Sequence, residues 1–475
     1  MGKEKTLVRD SKDTAKTAFL NTVANVLSLV VGIVMIPIIT RVISTEDYGI
    51  ANTFIVNRNI IAIVICFGSY AYVYKSFLEF KNEKKDYLFS VFLFSFVMIV
   101  SAFFISYPFK SYIQELLSLD GFLYHWLFFS VLAYMAYYLA SYYCIFQNYS
   151  KLTALITLSI GSISQVLSLF LALIMTNDKY IGRVIGLDGA YVVILAVLFA
   201  FFLVKKCKFR LKYIKFTLRY SLPLVPHVLS QDILAQFDLI MITYFVGSAA
   251  AGVYSMAYTI GLLGYTLVSQ AMSSWSTWVY RRLEENNRKT IKNASKTIII
   301  LGTYIMLVLM AIASDVVYIF LTSDYYSAVY IIGPLVVGSL FRFFYLFFYD
   351  IGYFNKKTKL IAACSIFAAV ANFILNSIFI PQFGFIAAAY TTMFSYFLLM
   401  FLNYCVAKNE FISEVYDVKI LVLCIVMALV WMILMMLLID LVVVRYLLVT
   451  AITAWVILNN RSFIRKIAKQ RRERT

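Results

Sequence analysis

Long apolar runs almost free of charge recur along this 475-residue chain, and they decide the solvent in which it can fold. Windows such as 22–39, 301–312 and 421–438 carry almost no ionisable side chain. A hydrocarbon slab of about 30 Å is crossed by about 20 such residues as helix, the form in which each backbone hydrogen bond closes within the segment. A membrane β-barrel would instead show segments of about 10 residues alternating apolar and polar, and these runs are continuous and too long. With 62% apolar and 14% charged residues the chain also lies far from soluble domains, which are about half apolar and about a quarter charged. The expected fold class is an all-α polytopic membrane protein of about fourteen spans. The first lies near 17–40, the second near 50–74 and the seventh near 219–246. The last pair lies near 419–439 and 442–459, divided only by Ile439-Asp440-Leu441.

The net charge of +18 raises the question of nucleic acid, and its distribution answers it. Of 42 Lys and Arg, Arg41, Lys110, Lys179, Arg183 and Arg445 fall on one side of the alternating loops, and Arg58 and Arg342 fall inside spans. All the others lie on the opposite side, which the positive-inside rule makes cytoplasmic, with both termini there. The segment from Lys205 to Lys212 and the tail from Arg465 to Arg474 are then juxtamembrane basic stretches suited to anionic lipids. Six scattered cysteines form no CxxC pair, and the two histidines, His125 and His227, have no nearby ligands, so no metal site or cofactor is expected. No cleavable leader is read ahead of the first span.

Two pairs of segments about 200 residues apart reveal an internal repeat. Ile39-Thr40-Arg41 through Gly49-Ile50 aligns with Ile242-Thr243-Tyr244 through Gly252-Val253, and Gly186 to Ala190 aligns with Gly384 to Ala388. Helices one to six thus correspond to seven to twelve, parallel repeats related by an axis along the membrane normal, an arrangement found in transporters. The expected organisation is a cytoplasmic segment at 1–16, an N-lobe at 17–215 and a C-lobe at 216–408. A final helix pair at 409–460 and a basic cytoplasmic tail at 461–475 complete it.

The same segments carry a family resemblance. Ile36-Pro37-Ile38-Ile39-Thr40-Arg41 followed by Glu46-Asp47-Tyr48-Gly49 resembles the first-helix signature of the polysaccharide exporter branch of the multidrug/oligosaccharidyl-lipid/polysaccharide superfamily. Ser221 through Pro226, with Asp238, Phe245-Val246-Gly247 and Gly252-Val253-Tyr254-Ser255, is similar to its counterpart at the start of the second half. Asn376 through Pro381, with Phe383-Gly384 and Thr391, is similar to the third characteristic segment. The resemblance implies two six-helix lobes working by alternating access. Its implied activity is that of an O-antigen or capsule repeat-unit flippase, translocating undecaprenyl-pyrophosphate-linked oligosaccharide in the bacterial cytoplasmic (inner) membrane. Polysaccharide polymerase machinery would be a partner.

Ionisable groups inside spans are expensive and normally face protein or water. Arg58 and Arg342 are the candidate substrate-binding residues, because guanidinium stays charged and offers bidentate donors to pyrophosphate oxygens. The alternative for Arg58 is outward snorkelling or pairing with a carboxylate of another helix. Asp232 and Asp238 on helix seven are candidates for H⁺ or Na⁺ coupling or for charge pairing. Pro223 and Pro226 remove backbone hydrogen bonds where helix seven starts, so an irregular turn and a helix hinge are expected there. The 36 tyrosines, including Tyr134, Tyr137, Tyr138 and Tyr142, read as an interfacial aromatic belt. Asn21 and Asn25, one turn apart, and Asn372 and Asn376 at the same spacing, read as polar contacts between helices. Two rival functions share the superfamily: a peptidoglycan-precursor lipid flippase and a cation-coupled multidrug efflux transporter. An enzyme is disfavoured, since the outward loops are short and no nucleophile, base or phosphate-binding glycine loop stands out.

Overall fold

The computed structural model describes residues 2–408 and 412–459, with side chains described from Thr17 onward except at 18, 71, 74, 271, 273 and 459. The basic tail at 461–475 lies outside the described residues. All regular structure described is helical, with no strand among the described residues. Fourteen helices carry the apolar runs. They are α1 (Gly2–Val42), α2 (Thr45–Ile65), α3 (Lys84–Leu117), α4 (Gly121–Phe146), α5 (Ser150–Ile174), α6 (Lys179–Lys205) and α7 (Val225–Phe245). Then follow α8 (Ser248–Glu284), α9 (Arg288–Phe320), α10 (Val329–Phe354), α11 (Thr358–Phe383), α12 (Phe385–Lys408), α13 (Val418–Leu437) and α14 (Val442–Asn459). Among the described residues thirteen helices are long and apolar enough to cross a membrane, and the last apolar helix is shorter. The chain is a multi-pass membrane protein.

Polar residues set the ends of these helices. Ser44 caps α2 by accepting the Asp47 amide at 3.0 Å, and Asp120 caps α4 by accepting the Leu123 amide at 2.6 Å. The second predicted span is shorter than expected. α2 ends at Ile65, and Phe67 and Gly68 adopt left-handed φ of 51° and 58° before a 3₁₀ turn at Ser69–Tyr72. The seventh is interrupted as expected at the prolines. A basic amphipathic helix, Leu211–Ser221, meets a 3₁₀ turn at Leu222–Leu224 that contains Pro223, and Pro226 sits in the first turn of α7.

The chain forms two compact units, Met1–Gly252 and Val253–Thr475. In the first, α1 packs on α5 through a polar ladder: Thr17 with Ser150 at 2.7 Å, Thr157 donating to Asn21 at 2.7 Å, and Ser162 donating to Ser28 at 3.3 Å. Such contacts are how helices recognise each other where both are apolar. α7, which the repeat assigns to the second half, packs on α2 within this unit, with Thr53 and Thr243 hydroxyls 2.6 Å apart. In the second unit α10 is buried nearly all round and packs most extensively on α12. Asn376 of α11 accepts from the Thr391 hydroxyl of α12, and Asn372 donates to Thr392 at 3.4 Å, so these asparagines join helices as expected.

Candidate functional site

Arg58 sits about 20 Å along α2 by the helical rise of about 1.5 Å per residue, and is 3% exposed. Its guanidinium pairs with the Asp188 carboxylate of α6. The Tyr134 and Tyr191 rings flank it, with centroids 4.7 and 5.0 Å away. Asp188 also accepts from the Trp126 indole at 2.8 Å and the Ser130 hydroxyl at 2.6 Å, both on α4. Three helices of the first unit therefore converge on one neutralised pair, the pairing alternative weighed for Arg58. α6 begins at Lys179, which carries Asp188 about 14 Å inside.

Arg342 also lies about 20 Å into its helix, α10. It stacks over the Tyr265 ring of α8 at 4.6 Å and the Tyr396 ring of α12 at 5.5 Å. Among the described residues no carboxylate lies within ion-pair distance of it. The first unit thus holds an arginine between tyrosines and cancels it with an acid, whereas the second holds one between tyrosines and leaves its charge available.

On α7, Asp238 is wholly buried and Asp232 half-buried, with Asp232 close enough to act electrostatically on the Tyr70 hydroxyl. Asp350 of α10 is 2% exposed, and it accepts from the Ser276 hydroxyl at 2.9 Å and the Tyr280 hydroxyl at 3.0 Å. Arg445, placed in a loop by the sequence reading, is buried on α14 instead. It donates to Asp315 of α9 at 2.7 Å and to the Ala311 carbonyl at 2.8 Å. Among the described residues no group of three His, Cys, Asp or Glu side chains could hold a metal ion.

A family model described as polysaccharide biosynthesis protein matches residues 14–276. An uncharacterised membrane protein of Methanocaldococcus jannaschii is 26% identical over 302 residues, 58% of this chain and 57% of that one, so the match spans little more than half of the relative. Three solved structures share the fold. One is the lipid II flippase MurJ in an inward closed conformation, with TM-score 0.70, 17% identity and coverage of 94% of this chain and 100% of that one. Another is an inward-facing multidrug resistance MATE family transporter of the MOP superfamily, with TM-score 0.63, 13% identity and coverage of 84% and 98%. The third is a MOP superfamily transporter from Pyrococcus furiosus described by the reverse polarity of its binding pocket, with TM-score 0.54, 15% identity and coverage of 85% and 96%. The family model matches more than half of this chain, and the protein belongs to the polysaccharide biosynthesis protein family.

Proposed function

We propose that this protein is a flippase. It carries undecaprenyl-pyrophosphate-linked oligosaccharide repeat units from the cytoplasmic to the outer leaflet of the bacterial inner membrane, by alternating access, for O-antigen or capsule assembly. The observation that carries this reading is Arg342. A guanidinium held within the span by two tyrosine faces, with no carboxylate in ion-pair distance among the described residues, suits an anion that arrives and leaves. Pyrophosphate meets that description, since its oxygens match the guanidinium fork and its charge persists at neutral pH. A cationic drug does not.

Arg58 has a different part in this reading. Its charge is cancelled by Asp188, so it contributes to substrate binding only when that carboxylate turns to other donors, and Trp126 and Ser130 already provide two. Asp238 and Asp232 are assigned to coupling with H⁺ or Na⁺, and Pro223 and Pro226 to a hinge at the entry of α7. The basic stretches lie on anionic lipids at the cytoplasmic face, where both termini reside, and the product passes to polysaccharide polymerase machinery.

Complementation of a strain lacking its repeat-unit flippase tests this. Wild-type protein is expected to restore surface glycan, Arg342→Ala to abolish it at matched membrane abundance, and Arg58→Ala to reduce it through loss of folded protein. Full glycan with Arg342→Ala would overturn the anion role. Rescue of a strain lacking its peptidoglycan-precursor flippase, without rescue of glycan export, would redirect the assignment to that substrate.

A further inference from the structure

Tyr134, Tyr137 and Tyr138 of α4 lie too deep for an interfacial belt. Tyr134, Tyr137 and Tyr138 lie about 12 Å or more from either end of α4 by the helical rise, at a depth where a phenol hydroxyl needs a polar neighbour. They are instead part of a continuous run of rings inside the first unit. Tyr138 stacks on Tyr70 with centroids 4.5 Å apart, and on Tyr142 at 6.0 Å. Tyr134 meets Tyr138 edge-on at 4.9 Å, and their hydroxyls lie 3.1 Å apart. Tyr138 and Tyr142 remain half-buried, so part of each ring is uncovered.

The backbone around this run is broken twice. Tyr70 belongs to the 3₁₀ turn after the left-handed pair Phe67 and Gly68, and Gly68 packs against Val225 at the start of α7, just beyond its own proline-bearing turn. Discontinuous helices in transporters mark substrate sites, because irregular backbone is tolerated where it lines a cavity. α7 adds polar groups to the same place. His227 and Gln231, one turn apart, each bury a nitrogen, Nδ1 and Nε2, with no hydrogen-bond partner, and Asp232 lies within electrostatic reach of Tyr70. Buried polar atoms are ordinarily satisfied, so two orphaned nitrogens on one helix face call for a hydrogen-bonding guest.

Resting on the flippase reading above, we propose that Tyr70, Tyr138 and Tyr142, together with His227, Gln231 and Asp232, form the surface that recognises the sugar of the lipid-linked substrate. A pyranose presents an apolar C–H face that covers a tyrosine ring, and a rim of hydroxyls that donate to a carboxylate and accept from an amide.

The test uses purified full-length protein in nanodiscs. It is titrated with undecaprenyl pyrophosphate carrying the repeat unit of a strain it complements, and with bare undecaprenyl pyrophosphate. Wild-type protein is expected to bind the sugar-bearing lipid about tenfold more tightly. Tyr138→Leu is expected to remove most of that preference while leaving affinity for the bare lipid within about twofold. Tyr138→Phe, which retains the ring and fold, is expected to keep it. Retention of the full preference in Tyr138→Leu, or equal binding of both lipids by wild-type protein, would overturn the sugar surface and leave the flippase standing. Complementation of no strain, or binding of neither lipid, would overturn both.

Discussion

Asp188 on α6 accepts hydrogen bonds from Arg58, Trp126 and Ser130 at once, and so binds three helices of the first unit through one carboxylate. Such a pair gains little over a well-packed apolar replacement, but removing one member leaves the other charged, buried and alone.

Asp188→Ala is therefore expected to destabilise the protein by about 3–5 kcal/mol, while Arg58→Leu combined with Asp188→Leu recovers most of that loss. Thermal unfolding of the two variants in detergent checks the coupling. Equal destabilisation by the single and double variants would show that the charge pair is not what the cost reflects.

A second buried pair joins α14 to α9. Arg445 is 1% exposed and bonded to Asp315, Ser314 and the Ala311 carbonyl. Because α14 is only about 27 Å long by its rise, its hold on the second unit rests heavily on this contact. Arg445→Ala is expected to cost about 3–5 kcal/mol and to expose the 442–459 segment to protease while α10 stays protected. Limited proteolysis followed by mass spectrometry reads this directly. Undiminished protection of the segment would remove Arg445 as its anchor.

These pairs show where sequence reading ran out. Hydropathy located the apolar spans, because bilayer thickness imposes a length that composition must meet. It could not pair Arg58 with Asp188 or Arg445 with Asp315. The partners are 130 residues apart in each case, a separation at which hydropathy carries no pairing information, and α2 begins several residues before the expected second span. The prolines were more informative: the missing amides of Pro223 and Pro226 force an irregular turn whatever the tertiary context. The left-handed pair at Phe67 and Gly68 had only Gly68 to announce it, and Phe67 is a residue that rarely adopts positive φ. The tyrosines were misread because frequency alone does not report depth.

Outside the spans, Glu83 ties two loops together. Its carboxylate accepts from Lys212 at 2.6 Å, Tyr213 at 2.9 Å and Arg210 at 3.0 Å. The hydrogen bonds from Lys212 and then Tyr213 hold its pKa below the usual carboxylate value. A carboxylate depressed by folding stabilises the folded arrangement above its ordinary pKa, and loses that contribution as pH falls through the depressed value. Hydrogen exchange in the 205–212 loop is expected to be slow above about pH 5 and to rise, relative to intrinsic exchange, below about pH 4. Glu83→Gln should show the fast behaviour at neutral pH. A pH-independent ratio in wild-type protein would exclude the clamp.

The repeat seen in sequence has a steric meaning at Gly49 and Gly252. A Cβ on Gly49 would overlap the Ser248 carbonyl oxygen and lie 2.8 Å from the Gly252 nitrogen. A Cβ on Gly252 would overlap the Thr45 carbonyl oxygen. The matched glycines thus let the first turns of α2 and α8 touch backbone to backbone, each receiving the carbonyl four residues before its counterpart, and neither neighbour is a side chain that could swing away. Gly49→Ala and Gly252→Ala are each expected to destabilise by about 1–3 kcal/mol through overpacking. Gly32, with nothing within 4 Å of a built Cβ, supplies the control. There the same substitution removes a flexible residue from a helix interior and should stabilise by about 0.5–1 kcal/mol. Thermal unfolding of the three variants separates these effects by sign, and a stabilising Gly49→Ala would mean that the two helix starts have room to part.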